Sequence, residues 1–371
     1  MPSYILTQDE LNSTNVSKTL DPDNIYTIYK YNQPVSTSFY KYRSIIGMGS
    51  NIVCFSPPKS MTYSEFCDTH SAKDIVSEEF VEGTMVNVFW DGNEWKKATK
   101  SKMDANCFFF DTNGVFYRLF EEALQYVNLD LNTLNKSYCY SFVMQHPGNR
   151  LVTAFTEIKL YLISAYFIEN TPMNTNSMNT NSMNANSMNT KVTVVDNIQT
   201  DPVWESTRVQ FPAKLDWDLR KPIENMPYTM MGVSFKDTIS GDRCKLRNPA
   251  FEYVRQLRGN QPKLSYRYLE LRKMGKVVDF LQFYPEHSTQ FRYYQSNLHK
   301  YTNNMYTFYV NIFIKKNMQL TNVDYTYKIS LKQIHHHYRE VLVPQNKYVT
   351  LQTVIEYVNA LPEAILMGVI R

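Results

Sequence analysis

The sequence predicts an α+β protein: antiparallel sheets with helices packed on them, followed by a helical C-terminal part. Two observations carry this. Between residues 26 and 168, short runs rich in β-branched and aromatic residues alternate with Gly, Pro and Asn turn signals, as strands in hairpins do. Beyond about 262 the apolar residues recur at helical spacing instead: Phe291, Tyr294, Leu298, Met305, Phe308 and Ile312, then Leu351, Val354, Ile355, Val358 and Leu361. A boundary near 260 therefore divides the chain into residues 1–260 and 261–371.

Residues 1 to about 40 are polar and rich in Asn and Tyr, with one readable strand over 26–31. Tyr42-Arg43-Ser44-Ile45-Ile46 and Ile52-Val53-Cys54-Phe55-Ser56 flank Gly47, Gly49 and Asn51 and read as a hairpin. Pro57-Pro58 ends the second strand and holds Lys59 on a stiff, extended loop. A strand over 80–90 follows, then an Asp91-Gly92-Asn93 turn and a return strand over 95–101. Phe116, Leu119, Phe120 and Ala123 share one helix face. Strands are predicted at 138–144, at 151–155 and at 160–168, the first two joined through a Pro147-Gly148-Asn149 turn in which His146 orders the backbone.

Residues 173–190 repeat Met-Asn-Thr-Asn-Ser without charge or apolar periodicity, so 170–191 is predicted to be a disordered insertion. After it, Met231-Gly232-Val233-Ser234-Phe235 and Arg243-Cys244-Lys245-Leu246-Arg247 form a hairpin around Ser240-Gly241-Asp242. Asn248-Pro249 starts a helix over 249–258, with Phe251, Val254 and Leu257 inward and Gly259 closing it.

Bulk composition narrows the function classes. A net charge of +4 on 371 residues rules out a global basic field, so any nucleic-acid surface is local. The five cysteines are odd in number and lack Cys-x-x-Cys spacing, which argues against a disulfide framework or a zinc site and for a reducing compartment. The N-terminus shows no signal pattern and no apolar run is long enough to span a bilayer, so a soluble, cytoplasmic protein without a membrane partner is expected.

The stretch with chemical content is Phe80-Val81-Glu82-Gly83-Thr84-Met85-Val86-Asn87, an acidic residue and a glycine feeding a β-branched strand. It resembles the Lys-x-Asp-Gly loop of ATP-dependent RNA ligases, with Phe80 at the nucleophilic lysine, Glu82 at the aspartate and Gly83 at the glycine. Other stretches between about 40 and 260 resemble the phage tRNA-repair type of that family in the same order. Arg43 matches its upstream arginine, Lys59 its ATP-site lysine, and Lys100 the lysine of a Ser/Thr-Lys-Gly element. Phe142-Val143 with Asn149-Arg150-Leu151-Val152 resembles Glu-Phe-Val…Asn-Arg-Ile-Val; Met231-Gly232-Val233 resembles Glu-Gly-Val; Lys245-x-Arg247 with Phe251 resembles the closing Lys-x-Lys and its aromatic. The resemblance implies a nucleotidyltransferase domain of the RNA/DNA ligase (ATP-grasp-like) type over residues 1–260, antiparallel sheets flanked by helices; the helical tail, 261–371, resembles the family's helical C-terminal domain only in type.

Three departures remove chemistry. Phe80 cannot form a phosphoramidate, and Ser141 and Met231 stand where the family has metal- or ribose-binding glutamates. The cationic side survives in Arg43, Lys59, Lys100, Lys245 and Arg247, beside Glu82, Gly83 and Gly232. The resemblance thus implies a degenerate member that binds nucleotide or nucleic acid, with no catalytic residue and no metal ligand expected. Two alternatives stand beside it: an active RNA ligase using ATP and Mg²⁺ with Lys59 as displaced nucleophile, and an assembly protein of a large DNA virus, which the Asn-rich repeat would fit.

The segment 243–276 holds ten Lys and Arg interleaved with tyrosines. Arg255, Arg258, Lys263 and Arg267 are its candidate contacts to RNA or DNA, against the bland reading of a solvated helix face. His335-His336-His337 point in different directions on a helix and do not share one ion. The Tyr-rich tail reads as core together with a surface for protein partners or self-assembly.

Overall fold

In a computed structural model, residues 1–107, 115–171, 189–219, 221–223 and 225–370 are described. The Asn-rich repeat predicted to be disordered lies almost wholly outside them. By contacts the chain divides into two compact units, Met1–Tyr253 and Val254–Arg371.

The first unit is built from three antiparallel sheets. Its strands and helices are β1 (Ser3–Thr7), α1 (Gln8–Asn12), β2 (Val16–Leu20), β3 (Tyr26–Tyr31), β4 (Ile45–Met48), β5 (Asn51–Phe55), α2 (Tyr63–Thr69), β6 (Ile75–Glu79), β7 (Thr84–Trp90), β8 (Trp95–Ala98), α3 (Phe116–Tyr126), β9 (Tyr138–Gln145), β10 (Lys159–Thr171), β11 (Asn189–Val194), β12 (Gly232–Asp237) and β13 (Arg243–Arg247). A six-stranded sheet runs β1-β11-β10-β9-β7-β8, a four-stranded one β2-β3-β4-β5, and a three-stranded one β13-β12-β6. Strand alternation puts Tyr140, Phe142 and Met144 of β9 against Phe116, Leu119, Phe120 and Ala123 of α3, the helix face predicted from spacing. The opposite face of the same strands packs Val143 and Tyr161 against Val81.

One predicted strand is absent, one unread stretch forms a strand, and one strand is shorter than predicted. Residues 151–155, read as a strand from their apolar content, lie outside any sheet, with bends at 151–153; the N–H groups of Val152 and Thr153 bond to a side chain, described below. The opaque N-terminus contributes β1, which pairs with β11 at Tyr4↔Val192. That pairing is distant in sequence, and β1 holds only one buried residue, Leu6. The return strand after the Asp91 turn also ends earlier than predicted, at Ala98.

The second unit is helical. The helix α4 (Pro249–Arg258), within which the division falls, is capped by Asn248, whose Oδ1 accepts from the Ala250 N–H at 3.0 Å. After it come α5 (Leu264–Lys273), α6 (Val277–Phe283), α7 (Ser288–Tyr309), α8 (Tyr325–His337), α9 (Leu351–Ala360) and α10 (Glu363–Leu366). Tyr268, Tyr284, Tyr294, Tyr301 and Tyr309 are buried in this unit, whereas Tyr325 and Tyr348 are exposed. The aromatic residues of the tail thus serve both its core and its surface. No helix among the described residues is long and apolar enough to cross a membrane, and all five cysteines are free thiols.

Candidate functional site

The site begins with the alternation of β13. Arg243, Lys245 and Arg247 occupy every second position and share one face of the three-stranded sheet. The alternate residue Cys244 turns into an apolar cluster with Phe66, Val233 and Phe235, and Leu246 packs against it. Across the sheet, Arg243 pairs with Lys236, Lys245 with Ser234 and Arg247 with Gly232. On the third strand Ser234 faces Glu78 and Lys236 faces Val76. The polar face therefore carries four cations and one carboxylate. Glu78 Oε2 lies 2.5 Å from Lys236 Nζ, so that carboxylate is already paired.

Phe80 joins this face through its backbone: its N–H donates to Gly232 O at 3.1 Å. Its ring lies 4.2 Å from Lys245 Nζ and 5.7 Å from the Arg247 guanidinium. Where the resemblance implies a nucleophilic amine, the chain thus has a ring that receives a neighbouring amine on its π face. Gly232 is required in this arrangement, since at φ +141° an added Cβ would sit 2.2 Å from Leu246 O.

Arg43 completes the cluster from the segment preceding β4. Its Nη1 donates to Pro57 O at 3.4 Å, and burial, then Arg243, pull the guanidinium below its usual range. The adjacent Ser44 hydroxyl donates to Lys100 O at 3.0 Å, which fixes Lys100 beside this segment. Burial, then Arg43 and Lys30, lower the Lys100 amine. For Lys245, burial followed by Arg243, Arg43 and Arg247 brings the pKa down to about 6. Arg247 has a carboxylate partner in Glu252 at 2.7 Å. Among the described residues, no carboxylate pairs with Arg43, Arg243 or Lys245. Arg243 is buried and its Nε has no hydrogen-bond partner.

Arg243, Lys236 and Glu78 also line a cavity of about 340 Å³ whose other wall is Ile163, Ser164 and Tyr166 of β10. Ser164 stands opposite Ser141, and Ser141 opposite Asn87. The Ser141 hydroxyl donates to Asn87 Oδ1 at 2.8 Å. A buried neutral pair thus occupies the place where the resemblance implies a glutamate.

Glu82 is engaged through its carboxylate by backbone donors. It is 5 % exposed, and its Oε1 accepts the N–H groups of Val152 at 2.9 Å and Thr153 at 3.2 Å. Burial raises its pKa, and these bonds oppose the rise. The carboxylate is a clasp on the 151–153 bend, which explains why that apolar stretch is no strand. Gly83 follows at φ +148°, where an added Cβ would lie 2.4 Å from Met144 O. Nearby, His146 Nδ1 accepts from the Gly148 N–H at 3.0 Å, ordering its turn.

The remaining predicted residues lie apart from this cluster in their contacts. Lys59 Nζ sits 3.8 Å from the Tyr40 ring, and its backbone N–H donates to Tyr40 O at 2.9 Å. Of the four candidate nucleic-acid cations, Arg255 and Lys263 are exposed and Arg258 and Arg267 are buried. Arg267 donates from Nε to Leu257 O at 2.9 Å and from Nη2 to Gln256 O at 2.6 Å, with Nη1 on Glu270 at 2.8 Å. It closes the end of α4 instead of presenting its charge to solvent. His335 stacks on Phe313 at 4.0 Å, and no group of three His, Cys, Asp or Glu side chains converges as a metal site among the described residues. Arg243 and Lys236 were missed in the motif comparison. The clean period-2 alternation of Arg243, Lys245 and Arg247 is the signal that identifies Arg243.

No protein-family model matches the chain, and no curated protein matches its sequence. Among solved structures it is similar to a protein of Aquifex aeolicus assigned as an ATP-dependent DNA ligase, with TM-score 0.39 and 14 % identity over 90 % of this chain and 79 % of that one. It is also similar to an archaeal ATP-dependent RNA ligase, with TM-score 0.39 and 10 % identity over 72 % of this chain and 65 % of that one. Likeness at this level assigns the chain to no family.

Proposed function

We propose that this protein binds the phosphates of a nucleotide or nucleic-acid strand on the polar face of its three-stranded sheet, and that it transfers no nucleotide from position 80. One observation carries the reading: Arg43, Arg243 and Lys245 are gathered, partly desolvated, with no carboxylate among the described residues paired to them. Uncompensated cations repel one another, and a polyanion relieves that repulsion while accepting charge-assisted hydrogen bonds. Glu82 is committed to backbone donors, Glu78 to Lys236, and Phe80 has no nucleophilic atom. These features favour a binder over a transferase.

The rival reading, an ATP-dependent RNA ligase with Lys59 as nucleophile, needs that amine to leave the Tyr40 ring. Incubation with labelled ATP and Mg²⁺, followed by a denaturing gel, separates the two. Binding by filter retention of labelled ATP and single-stranded RNA, weakened by salt and by Arg43→Ala, with no covalent label, is the expected result. A covalent label lost in Lys59→Ala overturns the proposal.

A further inference from the structure

The cations around Phe80 differ in one chemical respect: guanidiniums keep their protons at any physiological pH, and a lysine can release its own. Lys245 stands between Arg243 and Arg247 on one strand face, with Arg43 close enough to act on it. Every element around it has a definite charge state to consider. Its own strand supplies Arg243 and Arg247, the segment before β4 supplies Arg43, and the loop before β7 supplies the Phe80 ring, whose π face 4.2 Å from the amine favours the ammonium form and opposes the three guanidiniums. β12 supplies Ser234 directly opposite, next to Lys236, and β6 supplies Glu78 in the same row, paired with Lys236. No carboxylate pairs with Lys245 among the described residues. Losing the Lys245 proton is therefore the cheapest relief of repulsion in the empty site. A bound polyanion reverses the balance, because the ammonium form then gains a partner.

We infer that Lys245 is a proton-linked gate of this anion site: its amine is neutral when the site is empty and takes up one proton as a phosphate-type anion binds. The inference rests on the proposed phosphate-binding function and adds its regulation. Loading the site is favoured in acidic surroundings and discharged as pH rises, without any movement of the fold. The low pKa of about 6 for the empty site agrees with this direction, and Lys236, also lowered by burial, is the competing titrating group.

The test uses the full chain and inorganic sulfate, an anion that does not itself titrate near neutrality, with affinity measured by calorimetry from pH 6 to pH 8. If only the protonated amine binds, the competent fraction falls from about one half to about one in a hundred, so affinity drops about fifty-fold. Lys245→Arg, permanently charged, is expected to flatten this dependence to less than about two-fold, while Lys236→Arg leaves it in place. Thermal unfolding of both variants confirms that they are folded. Sulfate binding that is flat with pH in the unmodified protein overturns the gate and leaves the anion site standing. So does a pH dependence that persists in Lys245→Arg and vanishes in Lys236→Arg. Absence of sulfate binding at every pH overturns the anion site itself.

Discussion

Replacing Glu82 discriminates a structural clasp from a ligand-binding carboxylate. In Glu82→Ala the N–H groups of Val152 and Thr153 lose their acceptor, and Val152 is fully buried. An unsatisfied buried donor costs about 1–3 kcal/mol, so the variant loses about 2–4 kcal/mol of stability. Glu82→Gln keeps one amide oxygen where Oε1 sits, which accepts both bonds, but sets an NH2 donor where Oε2 lies 3.3 Å from the Thr153 N–H; it loses about 1 kcal/mol. The pH dependence has a definite sign. Burial raises the folded pKa of Glu82 above its ordinary value, so the folded state holds the proton more tightly than the unfolded one. The linked stability is fully present below the unfolded pKa and is lost as pH rises through the raised folded value. Glu82→Gln has no such proton, so it gains on the unmodified protein as pH rises from about 4 towards neutrality. Urea unfolding followed by circular dichroism at several pH values measures all three proteins. An Ala variant as stable as the unmodified protein, with nucleotide binding abolished, would refute the clasp and return Glu82 to the ligand.

Further outcomes follow from the same geometry. Gly83→Ala drives a Cβ against Met144 O at a backbone angle that L-residues avoid, and should cost about 3 kcal/mol in thermal or chemical unfolding. Arg267→Ala frees the Leu257 and Gln256 carbonyls and should destabilise by about 2–4 kcal/mol, whereas exposed Lys263→Ala stays within about 0.5 kcal/mol. If α4 and α5 contact RNA phosphates, Lys263→Ala reduces the slope of log affinity against log salt by about 1; an unchanged slope removes Lys263 from the interface. Phe80→Lys supplies an amine at position 80 without supplying carboxylates at Ser141 or Met231, so labelled ATP should leave no covalent adduct on a denaturing gel. An adduct at residue 80 would show that one substitution separates this chain from a transferase.

How much of this was legible in advance follows the range of the interactions concerned. Strands β3, β9 and β10 and the inward face of α3 were readable because alternation and 3.6-residue spacing are local consequences of burying one face. The hairpin of β12 and β13, with Asn248 capping the next helix, was readable because turn and cap chemistry are local too. The stretch 151–155 misled because apolar content does not reveal where backbone N–H groups find acceptors, and here a carboxylate some seventy residues earlier supplies one. Arg267 misled in a similar way: a basic residue in a basic segment looks solvated until the α4 carbonyls are seen to converge on it.

By itself, the sequence determined the α+β class, the absence of a nucleophilic atom from the Phe80 side chain, and a series of cations in the same part of the chain, because residue identity alone settles what an atom can do chemically. Only the tertiary structure decided which cations meet and which carboxylates remain free. It brings Arg43 to the β13 face, pairs Glu78 with Lys236, turns Glu82 into a backbone clasp and places Lys245 over the Phe80 ring. Charge is a property of residues, but its energy depends on separation and burial, and those are fixed by strand pairing between segments up to about two hundred residues apart.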